Sequence, residues 1–231
     1  MALYGGVTIT GDNLRMGDPR RMKLFTQCLP STGRTARPLD LFDVLTERSP
    51  EIFAGIWALK VAKPFGDYHL VGVFNWTTDG PQQRKISLAE VGCHAEDEVL
   101  VYDYWAAALL PAQKGNSVLT VVVPPASVRL LVLHKATGRP QFVASDRHIV
   151  AGEIDVSEVR SQGDTLAGKS AALVGGVPFR YTFYVPEQQK VLEAVFDGKP
   201  ANVEMVGSEL AVVSFTPSQA KIDWSLRFGR R

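Results

Sequence analysis

Val191-Leu-Glu-Ala-Val-Phe-Asp197-Gly198-Lys-Pro-Ala-Asn-Val-Glu-Met-Val206-Gly207-Ser208-Glu209-Leu-Ala-Val-Val-Ser-Phe-Thr216 is the stretch that decides the fold class. Three short runs, 191–196, 201–206 and 209–216, are rich in valine and carry the alternation of half-buried strands. Turn signals separate them. Asp197-Gly198 tolerates φ > 0 at both central positions, so it predicts a type I′ hairpin turn. Gly207-Ser208 supplies the next reversal. Working outward, 150–156, 165–173, 179–185 and 220–228 also read as strands, with Gly163-Asp164 and Gly175-Gly176 as turns. Residues 138–231 are therefore expected to form a small antiparallel β-sandwich.

The same reading extends upstream. Segments 56–61, 68–76, 98–105, 117–123 and 127–134 are β-branched and aromatic, helical periodicity is weak, and Pro124-Pro125 breaks the last two apart. Segment 88–92 reads as a short turn. Residues 53–137 are expected to form a first sandwich, with Thr137-Gly-Arg-Pro140 as the linker. Residues 1–52 differ. A strand near 4–12, with Val7 and Ile9 alternating against Thr8 and Thr10, precedes a helix over 20–29 started by Asp18-Pro19. Met22, Phe25 and Leu29 give that helix its apolar stripe, and Pro30 ends it. One strand and one helix cannot enclose a core, so this unit must dock on something else.

Composition narrows the function classes. Lysine and arginine number 25 against 24 acidic residues, which argues against nucleic acid as a partner. At 45% hydrophobic and 21% charged residues the chain is globular, and Gly 20 and Pro 14 exclude collagen-like and low-complexity classes. No basic and apolar leader opens the sequence, and Pro124-Pro125 and Arg129 cut the most apolar stretch well short of the ~20 residues of a membrane span. Neither a membrane partner nor an export signal is expected, so a reducing compartment, by default the cytoplasm, is. Cys28 and Cys93 then read as inert, apolar-packed thiols rather than a disulfide.

Several motifs resemble one family in order and spacing. They are Gly5-Gly6-Val-Thr-Ile-Thr-Gly-Asp12-Asn-Leu-Arg15-Met, a helix, Leu29-Pro30, and then Ala36-Arg37-Pro38-Leu-Asp-Leu-Phe42. These are similar to the last β/α unit of the clan-D glycoside hydrolase barrel, in the α-galactosidase and raffinose synthase families. Downstream, Gly72-Val-Phe-Asn75-Trp76, Val101-Tyr-Asp103-Tyr-Trp105 and Val123-Pro-Pro-Ala-Ser-Val-Arg-Leu-Leu131 resemble strands of the family's C-terminal β-domain. The likeness covers about residues 3–134. It implies a mainly β fold: two antiparallel sandwiches preceded by a short β/α remnant of a TIM barrel. It also implies retaining chemistry by two aspartates. Both would lie on earlier barrel strands, and a (β/α)₈ barrel takes ~200 residues or more. No catalytic residue is therefore assigned, and the chain is expected to be a non-catalytic C-terminal fragment without a cofactor.

Site residues follow from that reading, each beside its plainer alternative. Asp12 and Arg15 would bind a sugar hydroxyl and pair with each other in an intact barrel; otherwise they cap a turn. Trp76 and Trp105, with Tyr102 and Tyr104, could stack on pyranose rings; otherwise they alternate between core and surface. Asp146-Arg-His148 is a possible acid/base or metal element, but it lacks further ligands. His69, His94 and His134 are scattered without ligand spacing, and no metal is expected. The expected role is to pack against and stabilise a barrel domain. The alternatives are a carbohydrate-binding module, or self-association through an apolar patch of Met22, Phe25, Leu29, Leu39, Leu41 and Phe42.

Overall fold

The computed structural model describes Leu3, residues 17–46 and residues 53–231. The expected strand near 4–12 lies outside the described residues, as do Asp12 and Arg15. Helix α1 (Pro19–Thr26) begins where the sequence predicts, with Asp18 Oδ1 accepting from the N–H groups of Arg20 and Arg21. It ends at Thr26, three residues before the expected Leu29, because Gln27 turns inward and is buried. Beyond it, β1 (Arg37–Pro38) leads into α2 (Leu41–Leu45). Strand β1 joins an antiparallel sheet, with Arg37 opposite Ala58 and Pro38 opposite Trp57.

Seven further strands complete the first sheet pair: β2 (Ile56–Val61), β3 (Tyr68–Asn75), β4 (Gln82–Ser87), β5 (Glu98–Asp103), β6 (Ala108–Lys114), β7 (Val118–Val123) and β8 (Ser127–Lys135). Segment 88–92 is a one-turn helix, α3 (Leu88–Val91), and not a simple turn. Ser87 Oγ caps it by accepting from Glu90 N–H, and Gly92 closes it at φ 115°. A six-stranded sheet, β1-β2-β3-β8-β5-β6, faces a two-stranded one, β4-β7. Val71, Val73, Val101, Leu131 and Leu133 meet Ile86, Leu119 and Val121 between them. Strands β3 and β8 are buried on both faces over most of their length. Their unbroken apolar character follows, since each face must lose water to a separate layer.

The second sheet pair comprises β9 (Gln141–Ser145), β10 (Val156–Gln162), β11 (Thr165–Ser170), β12 (Phe179–Tyr184), β13 (Gln189–Phe196), β14 (Lys199–Pro200), β15 (Asn202–Val206), β16 (Leu210–Phe215) and β17 (Ile222–Arg230). A five-stranded sheet, β10-β11-β17-β13-β14, packs on a four-stranded one, β15-β16-β12-β9. Phe142, Tyr181, Phe183, Phe196, Phe215 and Trp224 fill the space between. Tyr181 meets Phe215 edge-on with ring centres 4.9 Å apart, and Phe196 lies nearly parallel to Trp224 at 5.8 Å. The outer face of the first pair's six-stranded sheet also meets the second pair. Tyr68, Leu70, Tyr102 and Val132 pack on Val143, Ile149, Val150 and Leu210. All strand pairings are antiparallel, so the mainly β, antiparallel reading holds.

One expected strand is absent. Segment 150–156 is a chain of turns, with Ala151 at φ 53° and Gly152 at φ 117°, and β10 begins only at Val156. Its apolar residues are buried because the turn plugs the layer between the sheet pairs. Three longer strands, β4, β6 and β9, and the two-residue strands β1 and β14 escaped the sequence reading.

Candidate functional site

The half-exposed tryptophans stand at the same end of the first pair's large sheet. Asn75, the last residue of β3, is buried; its Nδ2 donates to Gly80 and Val123 carbonyls at 2.9 and 3.1 Å, and its Oδ1 accepts from Thr77 N–H. That turn throws Trp76 to the rim, where it is 41% exposed. One face of its indole stacks on Phe74, with ring centres 4.6 Å apart and planes 3° off parallel. Phe53 approaches it at 6.1 Å, and its Nε1 donates to the Ala54 carbonyl. Trp105 follows β5 and meets Tyr104 edge-on at 4.8 Å.

Asp103, 1% exposed, organises that turn. Its Oδ1 accepts from Trp105 and Ala106 N–H groups, and its Oδ2 accepts from Arg129 Nε at 2.6 Å. Tyr102 and Tyr104 are interior residues, not surface ones. The Tyr102 hydroxyl is 3.3 Å from Thr182 Oγ1, and Tyr104 donates to the His148 carbonyl. Burial pushes both phenols up from their ordinary value.

Asp146-Arg-His148 is a clasp for the N-terminal segment. His148 Nε2 bonds the Pro30 carbonyl at 3.0 Å, Arg147 reaches the Leu29 carbonyl, and Gln27 Nε2 donates to the Asp146 carbonyl. Val150 N–H donates to His148 Nδ1, so the ring is neutral with its proton on Nε2. Asp146 itself accepts from Arg180 N–H at 2.7 Å. No group of three or more His, Cys, Asp or Glu converges on a metal-sized site among the described residues. No helix among them is long and apolar enough to cross a membrane. Cys28 and Cys93 are free and half-buried, and burial pushes both thiols up.

Two features were not visible in sequence. Phe53 and Phe74 complete the aromatic group around Trp76. His69, His94 and His134, from three separate parts of the chain, line one cleft between the sheet pairs.

No family model matches the chain, and no curated protein matches it. Among solved structures, it aligns with α-galactosidase I from Mortierella vinacea at 13% identity and a TM-score of 0.35, over 51% of this chain and 27% of that one. It also aligns with a β-porphyranase of glycoside hydrolase family 86 from Bacteroides plebeius, at 12% identity and a TM-score of 0.21, over 75% of this chain and 34% of that one. The chain thus spans about a quarter to a third of the length of these two structures. Both are glycoside hydrolases by description, and both scores are too low to transfer a fold or a mechanism.

Proposed function

We propose that this chain is a non-catalytic β-sheet portion of an α-galactosidase-like glycoside hydrolase, with units at 53–137 and 138–231 that support a barrel domain. One observation carries the reading. Helices α1 and α2 bury no side chain, while Leu24, Phe42, Leu45 and the following Phe53 are 49%, 77%, 66% and 62% exposed. Helices of eight and five residues do not hold themselves in water, where isolated helices need about 12–15 residues. A flank of short helices with outward apolar side chains is suited to lie against another body. The two helices also fall within residues 1–52, the part of the sequence that resembles the end of the barrel.

Two measurements test it. The purified chain should show no hydrolysis of an aryl α-galactoside, and turnover would refute the assignment. The double substitution Phe42→Glu, Leu45→Glu should leave the thermal midpoint nearly unchanged, as exposed substitutions stay within about 0.5 kcal/mol. Unfolding of that variant would show that α2 belongs to this chain's own core. A second reading, sugar stacking, has the half-exposed indoles of Trp76 and Trp105 in its favour. It predicts millimolar binding of neutral sugars that Trp76→Ala and Trp105→Ala abolish; binding indifferent to both would dismiss it.

A further inference from the structure

The cleft that gathers three histidines has a volume of about 670 Å³, within the ~300–1,000 Å³ of small-molecule sites. It opens where the ends of β2, β3 and β8 meet the linker and the β10–β11 hairpin. Its walls include apolar Leu133, Phe142 and Leu166, and polar groups surround them. A second cavity of about 330 Å³ shares Arg139, Pro140, Ser161 and Leu166 with it and runs on to Gln189 and Arg230. An apolar wall with a few placed polar groups suits a small organic ligand.

The charges indicate its sign. Lys60 pairs with Asp67 at 2.8 Å and Lys135 with Asp97 at 2.7 Å, so these four cancel. The guanidinium groups of Arg139 and Arg230 have no partner among the described residues. His69 responds to the same field without adding charge to it, its ring being held towards the neutral form. Burial first, and then Lys60, Arg37 and His94, push its imidazole down, with Asp67 alone opposing. Asp164 is the one acidic residue lining the second cavity, so two unpaired guanidinium groups against one carboxylate leave the joined cleft with a net positive charge. Gln189 supplies the other half of the argument. Its Oε1 is buried without a hydrogen-bond partner and thus wants a donor, which an anionic group cannot offer and a hydroxyl can.

We propose that this cleft binds a small hydroxylated organic anion, with its carboxylate or phosphate seated on Arg139 and its hydroxylated body directed towards Ser161 and Gln189. A planar guanidinium matches both anionic groups in two-point geometry. The site lies away from Trp76 and the helical flank, so it does not depend on the accessory role above.

The test is a calorimetric titration of the full chain, with histidine ring resonances followed by NMR. Glucuronate, galacturonate, glucose 6-phosphate and galactose 6-phosphate are compared with neutral glucose and galactose and with inorganic phosphate. Saturable binding by the sugar acids or the sugar phosphates is expected, with shifts at His69 and His94, and which class binds identifies the anionic group. Neutral sugars and inorganic phosphate should each bind about tenfold or more weakly. Arg139→Gln should weaken the charged ligand about tenfold or more while leaving the thermal midpoint unchanged, since its side chain holds nothing in place. Ser161→Trp, at an exposed position, should block the passage between the two cavities. Trp76→Ala should change nothing, which separates this site from sugar stacking. Equal affinity for neutral and charged sugars would overturn the proposal. So would inorganic phosphate binding as tightly as the sugar phosphates, no saturation by any of the four, or indifference to both cleft variants.

Discussion

Tyr181→Phe removes one oxygen from the centre of the second sheet pair. The hydroxyl lies 2.9 Å from Asp155 Oδ2 and 2.8 Å from Ser170 Oγ, and both Tyr181 and Asp155 are fully buried. Ser145 Oγ donates to the same carboxylate oxygen at 2.6 Å, while Asp155 Oδ1 has no partner. With its one proton on Asp155, the Tyr181 oxygen accepts from Ser170 Oγ; Ser170 keeps the Trp224 Nε1 donor at 3.0 Å but loses that acceptor, which adds to the cost. The ring keeps its edge contacts with Phe142, Phe196 and Phe215, so no packing is lost. What disappears is one of two donors to a buried carboxyl, worth about 1.5–3 kcal/mol. A total of about 2–3 kcal/mol is expected in urea unfolding, read from Trp224 fluorescence. For a chain of this size that lowers Tm by roughly 5–10 °C.

Two further readouts separate this cause from general damage. In an Asp155→Asn background the same change should cost only about 1 kcal/mol, because the charge is gone. The pH dependence has a definite sign. Burial pushes the Asp155 carboxyl up, and the Ser145 and Tyr181 hydrogen bonds pull it partly back. A carboxyl held above its unfolded value of ~3.9 contributes stability that is complete below that pH and lost as pH rises through the native value. Losing the Tyr181 donor raises the native value further, so the substitution should cost less near pH 4 than near pH 7. A cost below about 0.5 kcal/mol at neutral pH, one that does not vary with pH, or one unchanged by Asp155→Asn would refute this account.

Two other outcomes follow from the packing. His134 is buried against Tyr68, with ring centres 4.9 Å apart, and its Nε2 bonds the Val143 carbonyl; burial lowers its pKa to about 4. Its unfolded value is ~6.5, so stability should be complete above that pH and fall by about 3 kcal/mol as pH drops towards 4; His134→Gln should flatten this part of the urea-unfolding profile. Gly168 lies under the Trp224 indole, and an added Cβ would overlap both that ring and the Glu158 carbonyl oxygen. Gly168→Ala should cost about 1–3 kcal/mol by overpacking, read as a lowered Tm; an unchanged Tm would show that the β10–β11–β17 layer can yield.

What was legible in sequence was local. Asp197 and Gly198 adopt φ of 54° and 70°, and Phe196 faces Lys199 across them, as a type I′ turn requires. Turn chemistry is carried by the two residues themselves. Where the chain goes next is not. After Pro200 it leaves the five-stranded sheet, and β15 pairs with β16 in the opposite one. Strand β4 was missed because Gln82-Gln-Arg-Lys-Ile-Ser87 has little apolar alternation; pairing with β7 holds it, and only Ile86 is buried. Segment 150–156 erred the other way: apolar residues report burial, and a turn that plugs the space between two sheet pairs is as buried as a strand.

The same distinction governs the sites. Asp103 and Asn75 sit in motifs that sequence singled out, and each acts within a few residues of itself as the organiser of a turn. The histidine-lined cleft has no motif because its walls come from β3, the loop before β5, the end of β8 and the β10–β11 hairpin. Sheet order alone makes them neighbours, so no spacing rule applied along the chain could find them. Nor is the charge of the cleft visible in the chain's near-neutral total. It emerges only when Lys60 and Lys135 are seen to be matched by Asp67 and Asp97 while Arg139 and Arg230 together face only Asp164. A balanced composition therefore excludes a large net positive charge, but it leaves room for a local excess of charge where two sheet pairs meet.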